Sequence, residues 1–556
     1  MAEMTGNRLL AEMLKAYGVT HVFFVPGIIR PALAEMEEMG IRRVVTHHEV
    51  AAAYMADGYA RASFKPGVCL AQAVGAANLA AGLREAWMYG APVIAISGGT
   101  DPDTRYRHVY QEIEDFPMFG SVTKANYQVE RGHRLPDMLR LAFRTATTGR
   151  PAPVHLRLPV SGAEGSELTD VQDFEAIIEE RYSQVPAFRP EPDMGLVQEA
   201  AKLLSAAQRP AIVAGGGITN SQAESELIRL AEKLQIPVAY NLNAKGCIPE
   251  NHYLAMGTPG RYGRVQVNQA LAEADLVFFV GSRAGSLTTN SWKFPPQSTP
   301  IIQVDIDPTE VGRNYPVKVG IVGDCKLTLS RLIEVVEPVP TRPAWQARTR
   351  ELVEAWRADE FTPYANSDAT PIRPERICKE ISDALPENAI MMACTGHSAI
   401  WTGTMLELKK QGQRFIRCCG TLGWAVPASI GVKAAVGDSP VVVFTGDGGM
   451  MYHLAELETA ARQGLNVIWV VNNNAALAQT KRGLDAAYTG KAWGKADEMW
   501  VFEAVNFAKA AEVLGCVGIR VEKPEELRPA LDRALAANRP VVVDVLSDRM
   551  ALPKWG

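Results

Sequence analysis

Asp447, within Gly446-Asp447-Gly448, and Asn474, closing the run Asn472-Asn473-Asn474, are the residues best suited to chemistry. A carboxylate and an amide oxygen are hard donors. They suit Mg²⁺, which binds through one or two carboxylates and also takes phosphate oxygens from a substrate or cofactor. Such chemistry requires both oxygens to be fixed at one edge of a scaffold. Val441-Val442-Val443-Phe444 reads as a buried strand entering the Gly-Asp-Gly turn, and Leu454, Leu457, Ala460 and Ala461 recur at helical spacing. Val467-Ile468-Trp469-Val470-Val471 reads as a second buried strand running into the asparagines. A strand–helix–strand unit of this kind places both residues at the carboxyl ends of parallel strands, where open α/β sheets bind ligands. A lone Gly-Asp-Gly is a weak signal and fits a solvated turn. The framing strands and the paired motif favour a ligand site.

The rest of the chain repeats the alternation of strands and helical patterns, which implies parallel sheets covered by helices. Three α/β blocks are expected, over residues 1–165, 190–340 and 369–556. They are separated by a polar, proline-rich stretch around Pro186 to Pro192, and by Pro338 to Pro343 with a charged helix after it. In the middle block, strands run into Gly215-Gly216-Gly217, into Gly281-Ser282-Arg283 and through Asp305-Ile306-Asp307. A nucleotide site and a purely structural Rossmann-like layer both fit this pattern. The first and last blocks share no visible sequence repeat.

Composition excludes several classes. Hydrophobic residues make up 47% and charged residues 21% of 556, with a formal net charge of −5 and no long basic run. This argues against a nucleic-acid surface. The eight cysteines are scattered without a CxxC pair, which argues against structural zinc and against a disulfide scaffold. No apolar run approaches the roughly 18 residues of a membrane span, and Met1-Ala2-Glu3-Met4-Thr5 does not read as a secretory signal. A cytoplasmic enzyme is the expectation.

The first block contains Thr46-His47-His48-Glu49, followed by an alanine-rich helical stretch ending Ala56-Asp57-Gly58-Tyr59-Ala60-Arg61. A strand is expected to end at the histidines and a helix to begin at Glu49. Alone, a glutamate there merely complements the helix dipole. Taken with the Gly-Asp-Gly and asparagine motifs, the segment resembles the thiamine diphosphate (ThDP) enzymes, closest to the acetolactate synthase branch, and the likeness extends over nearly the whole chain. It implies three doubly wound α/β domains: pyrimidine-binding, central Rossmann-like and diphosphate-binding. It further implies that Asp447, Asn474 and the carbonyl of Ala476 hold Mg²⁺, and that Glu49 hydrogen-bonds N1′ of the cofactor's pyrimidine as the activating catalytic residue.

The same resemblance assigns Thr395, Gly396, His397 and Ser398 to the turn holding the diphosphate, together with Gly446, Gly448, Gly449 and Leu477 around the metal motif. In Gly420-Thr421-Leu422-Gly423, the Gly420 carbonyl would accept from the 4′-amino group, and Leu422 would be the wedge between the two rings. In this family the glutamate and metal motifs of one site come from different chains. A homodimer at least, and a homotetramer by analogy, is therefore implied.

Departures cluster at the rim. His47 replaces the branch's arginine, Gln72-Ala73-Val74-Gly75 replaces Ser-Gly-Pro-Gly, and Ala475 to Thr480 is smaller and less polar than in acetolactate synthases. His108, Tyr110, Gln111, His453 and Gln479 are the substrate candidates, with a satisfied buried histidine an equal reading for His453. These changes put pyruvate in doubt as the donor. The expected function is ThDP- and Mg²⁺-dependent cleavage and formation of C–C bonds next to a carbonyl, by 2-oxo acid decarboxylation and carboligation. The alternatives are a 2-hydroxyacyl-CoA lyase or oxalyl-CoA decarboxylase-like enzyme, with the tail from Asp548 closing over its ligand, and a non-catalytic homologue. FAD in the central block is compatible with the glycine turns.

Overall fold

A computed structural model of the chain describes residues 2–160, 168–338, 342–410, 412–489 and 495–554. The expected block edges at 165 and 340, and the last two residues of the tail, lie outside the described residues. Three six-stranded parallel sheets dominate. The first runs, edge to edge, Arg42–Val45, His21–Phe24, Gly67–Ala71, Val93–Gly98, Val154–Leu158, Ala125–Gln128. The third runs Arg414–Arg417, Ile390–Ala393, Val441–Gly446, Val467–Asn473, Val541–Leu546, Val517–Val521. Both have the same chain order across the sheet, second-first-third-fourth-sixth-fifth. The sequence shows no such kinship between these blocks.

The middle sheet runs Ala255–Gly257, Val238–Tyr240, Pro210–Ala214, Leu276–Val280, Ile301–Asp305, Val319–Val322. This is the order third-second-first-fourth-fifth-sixth of the Rossmann fold. The central strands are buried over nearly their whole length, as parallel strands covered on both faces must be.

Strand order fixes where ligands can enter. In the third sheet the direction of winding reverses between Ile390–Ala393 and Val441–Gly446. Their carboxyl ends lead into residues 394–398 and into Asp447, and a crevice opens at such a reversal. In the first sheet the corresponding reversal lies between His21–Phe24 and Gly67–Ala71, whose ends lead into Gly27 and Gln72.

Two elements were not anticipated. Ala2–Thr5 forms a strand that pairs antiparallel with Val171–Phe174, in the segment between the first two expected blocks. The pairing joins residues far apart in sequence, so local periodicity carries no trace of it. The helix expected after Asp447 is also broken. A short helix, Asp447–Met451, follows the strand directly, and a second, Glu456–Gln463, begins after a turn, which leaves Leu454 outside both.

The described chain divides into two compact units. One comprises Met1–Phe188, Cys419–Asp438 and His453–Val467; the other comprises Arg189–Cys418, Ser439–Tyr452 and Ile468–Gly556. Within the first, helices Glu49–Ser63 and Ala425–Val436 pack closely. A Cβ at Gly58 would collide with the carbonyl of Ala428, and one at Gly431 with the carbonyl of Met55. Glycine at these two positions lets the two backbones touch. Among the described residues, no helix is long and apolar enough to cross a membrane.

Candidate active site

In the second unit, Asp447 opens its helix at the end of Val441–Gly446 and is 4% exposed. Its Oδ1 accepts from the Gly448 amide at 2.8 Å and its Oδ2 from the Ala476 amide at 2.9 Å. The second bond ties the two motifs together. Burial pushes the carboxyl up to about 6, against the opposing pull of the Gly448 and Ala476 amides. A buried carboxylate of this kind gains from a cation.

The three asparagines separate by strand alternation. Asn473 is structural: its Nδ2 donates to Val505 O and to Asp544 Oδ1, both at 2.8 Å. Asn472 and Asn474 belong to the opposite parity, and the Oδ1 of each is buried without a hydrogen-bond partner. An orphaned buried amide oxygen is costly, and a metal ion at Asn474 would satisfy it. The donor set of Asp447, Asn474 and the Ala476 carbonyl therefore fits Mg²⁺. Asn472 shares the orphan state, and the sequence offered no reason to single it out.

The turn expected to hold the diphosphate is built around Gly396, whose φ of 73° and ψ of −148° suit glycine. His397 and Ser398 follow as the first residues of helix His397–Thr404, so helix amides are available to an anion. Burial pulls His397 down to about 4, keeping the ring neutral. A Cβ on Gly396 would lie 3.0 Å from Gln479 Oε1, and Gln479 donates to Tyr262 Oη at 2.7 Å. Gln479 is thus held beside the turn. Leu477 covers Gly448, where a Cβ would strike its Cδ2 at 2.6 Å. Gly446 and Gly449 flank Asp447 in the strand–helix turn.

The first unit holds the other half of the expected constellation. Glu49 is the first residue of helix Glu49–Ser63, capped by the His48 side chain, and Arg42–Val45 ends just before the histidines. Glu49 Oε2 accepts from Asn78 Nδ2 at 3.0 Å. Gly75 lies against the other oxygen, where a Cβ would collide with it. His47 faces elsewhere, with Nε2 2.8 Å from Glu458 and its amide donating to Glu456.

Gly420 is exposed and Leu422 half-buried, and nothing lies within 4 Å of a Cβ built on Gly420. His453 packs edge-on against Tyr54, with ring centroids 5.6 Å apart. Burial and the neighbouring His48 hold it down to about 4. His108, Tyr110 and Gln111 lie on the loop over residues 99–115. Gln111 accepts from Gln72 Nε2, whereas the Tyr110 side chain is largely exposed. Backbone φ is positive at Tyr106, His108 and Gln111, and Glu112 ties the loop by accepting from the amides of Tyr106 and Val109.

In the central sheet, Gly215 and Gly217 sit where a Cβ would collide with the Gly281 backbone. Loop-on-loop packing accounts for these glycines. Asp305, at the end of its strand, has its carboxyl raised by burial.

Two parallel α/β domains, each ending at a winding reversal, with an oxygen-ligand set on one and a helix-initial glutamate on the other, define the architecture of a ThDP-binding enzyme. Family comparison agrees. Residues 4–118 match the model for the thiamine pyrophosphate enzyme N-terminal TPP binding domain, 197–332 the central domain and 395–545 the C-terminal TPP binding domain. The chain belongs to the thiamine pyrophosphate enzyme family. It is 33% identical over 565 residues to a probable acetolactate synthase large subunit of Methanocaldococcus jannaschii, covering 98% of this chain and 92% of that one. It is 32% identical over 559 residues to the acetolactate synthase large subunit of Corynebacterium glutamicum, covering 98% and 87%. It is also 32% identical over 581 residues to the glyoxylate carboligase of Escherichia coli O157:H7, covering 99% and 94%. It is a ThDP-dependent enzyme of the group that contains acetolactate synthases and glyoxylate carboligase.

Proposed function

We propose that the protein is a carboligase that decarboxylates a 2-oxo acid and joins the resulting two-electron donor to a second carbonyl compound. The observation that carries this is a buried carboxylate, Asp447, tied through the Ala476 amide to a motif whose Asn474 keeps an orphaned amide oxygen. The full-length likeness to two kinds of carboligating relative supports the same reading. Bound ThDP supplies the electron sink for cleavage next to a carbonyl.

The chain's own groups do the rest. Asp447, Asn474 and the Ala476 carbonyl hold Mg²⁺ against the diphosphate, and the amides of the 395–398 turn donate to its oxygens. Glu49, oriented by Asn78, accepts a hydrogen bond from N1′ of the pyrimidine and holds the proton there. The Gly420 carbonyl accepts from the 4′-amino group, and Leu422 separates the two rings. The assembly we propose is a homodimer at least, by the resemblance to a family in which the glutamate and metal motifs of one site come from different chains. Gln72, Gln111, Tyr110, His108, His453 and Gln479 form the set from which the acceptor pocket is drawn. The changed residues at 72–75 and 475–480 favour a 2-oxo acid other than pyruvate.

The test is product analysis by mass spectrometry, with ThDP, Mg²⁺ and a panel of 2-oxo acids, with and without an aldehyde acceptor. Glu49→Gln runs beside the parent. Glu49-dependent CO₂ release with a coupled product is expected. Turnover of 2-hydroxyacyl- or oxalyl-CoA alone would replace this reading with an acyl-CoA lyase. Flavin absorbance in the purified protein would assign the central domain a nucleotide.

A further inference from the structure

Within the first unit, the segment from Cys419 to Trp424 is held at both ends by buried carboxylates from other helices. Glu85, on helix Ala76–Tyr89, has no exposed side-chain surface. It accepts from the Cys419 amide through Oε1, and from the Thr421 amide at 3.3 Å and the Thr421 hydroxyl at 2.7 Å through Oε2. At the other end, Asp57 Oδ2 accepts from the Trp424 indole N–H at 2.8 Å. One guanidinium joins the two. Arg61 donates to Asp57 through Nε at 2.8 Å and Nη2 at 2.6 Å, and reaches Glu85 Oε1 at 3.3 Å. Its plane is lined by the rings of Tyr89 and Trp424, whose centroids are 4.0 and 4.6 Å away. All three charged side chains are fully buried.

A buried anion is tolerated only where it is paired and hydrogen-bonded. Here one cation serves two carboxylates, whose oxygens also accept from the Cys419 and Thr421 amides, the Thr421 hydroxyl and the Trp424 indole. Glu85 takes both amides that flank Gly420. The Thr421 amide shares its peptide plane with the Gly420 carbonyl, so fixing that amide fixes the direction of the carbonyl, and the Cys419 amide anchors the chain one plane before Gly420. Gly420 itself is exposed, with open space where a side chain would be. Bonds of this kind, short and charge-assisted, are about twice as strong as neutral ones.

We infer that Glu85 is a positioning residue for cofactor activation: through Thr421 and Cys419 it sets the orientation of the Gly420 carbonyl and the placement of Leu422, with Arg61 and Asp57 fixing Glu85 in turn. The inference rests on the reading above of Gly420 and Leu422 as cofactor contacts. It adds a determinant of that contact that touches no cofactor atom.

The experiment uses the full-length protein as parent, Thr421→Val, Glu85→Gln and Glu85→Asp. Thr421→Val removes one donor to Glu85 at nearly constant volume and leaves the ion cluster intact. Thermal unfolding reports folding, tryptophan quenching reports the ThDP dissociation constant, and the near-UV circular dichroism of the bound pyrimidine at saturating ThDP and Mg²⁺ reports its tautomer and setting. Thr421→Val is expected to fold as the parent does, to bind ThDP about tenfold more weakly, and to show an altered pyrimidine band even when saturated. Glu85→Gln is expected to do the same more severely, with Glu85→Asp partly restoring the band. A Thr421→Val protein with the parent's affinity and band overturns the inference, whatever Glu85→Gln does to folding. A parent that binds no ThDP overturns the cofactor reading and this inference with it.

Discussion

Asn78 donates from Nδ2 to Glu49 Oε2 at 3.0 Å. The two residues are the first of one helix and an early residue of the next, and Gly75 closes the opposite side of the carboxylate. A donor on one oxygen fixes the plane of the carboxylate. In the function proposed above, that plane lets Glu49 accept a hydrogen bond from N1′–H of the pyrimidine. Asn78→Ala is expected to lower kcat by about tenfold with ThDP affinity close to the parent's. Glu49→Gln is expected to lower it by about 10² to 10⁴. Steady-state rates alongside cofactor titration check both.

The orphaned oxygen of Asn474 and the burial of Asp447 imply a measurable metal dependence. Asn474→Leu is expected to raise the Mg²⁺ concentration needed for half-maximal ThDP binding by at least about tenfold, since even outer-shell partners of a metal matter at about 10- to 100-fold. Asn473→Leu has a different expected signature. Its amide serves Asp544 and Val505, so it should lower the unfolding temperature first. Titration of Mg²⁺ against tryptophan fluorescence, paired with thermal melts, separates the two.

Helix contact through Gly58 and Gly431 predicts a packing penalty. Gly58→Ala improves helix propensity but drives a methyl into the Ala428 carbonyl, and overpacking of this kind costs about 1–3 kcal/mol. A lowered denaturation midpoint with an unchanged m-value is expected. A stabilised protein would show that the two helices yield.

His453 is held down to about 4 by burial and by His48. Its folded value lies below the ordinary histidine value, so its contribution to stability is fully present above about 6.5. That contribution is lost as pH falls through 6.5 towards 4, where the unfolded chain binds the proton more readily. The groups around it are the Tyr54 ring, His48 and, on the same segment, Glu456. His453→Asn is expected to flatten the fall in unfolding temperature between pH 6.5 and 4, and to leave the plateau above pH 7 little changed. Thermal melts across that range check it.

The chemistry-bearing residues were legible because they sit at element ends, which local pattern marks. Glu49 does begin a helix after a strand, and Asp447 and Asn474 do follow buried strands. The glycine turns of the central block were equally visible, but their reason was not. Gly215 and Gly217 serve the Gly281 backbone, and a glycine that admits another loop reads the same as one that admits a nucleotide.

Sequence by itself determined the alternation of strand and helix, the two oxygen-bearing motifs and the glutamate, because hydrophobic period and capping act over a few residues. Only the tertiary structure decided the common strand order of the outer sheets and the strand joining Ala2–Thr5 to Val171–Phe174. It also decided which two of the three asparagines keep a free oxygen, and that Asn78 meets Glu49 and Glu85 meets Thr421. Each of these depends on which distant backbone or side chain arrives at a given face, and that is settled by packing across the chain.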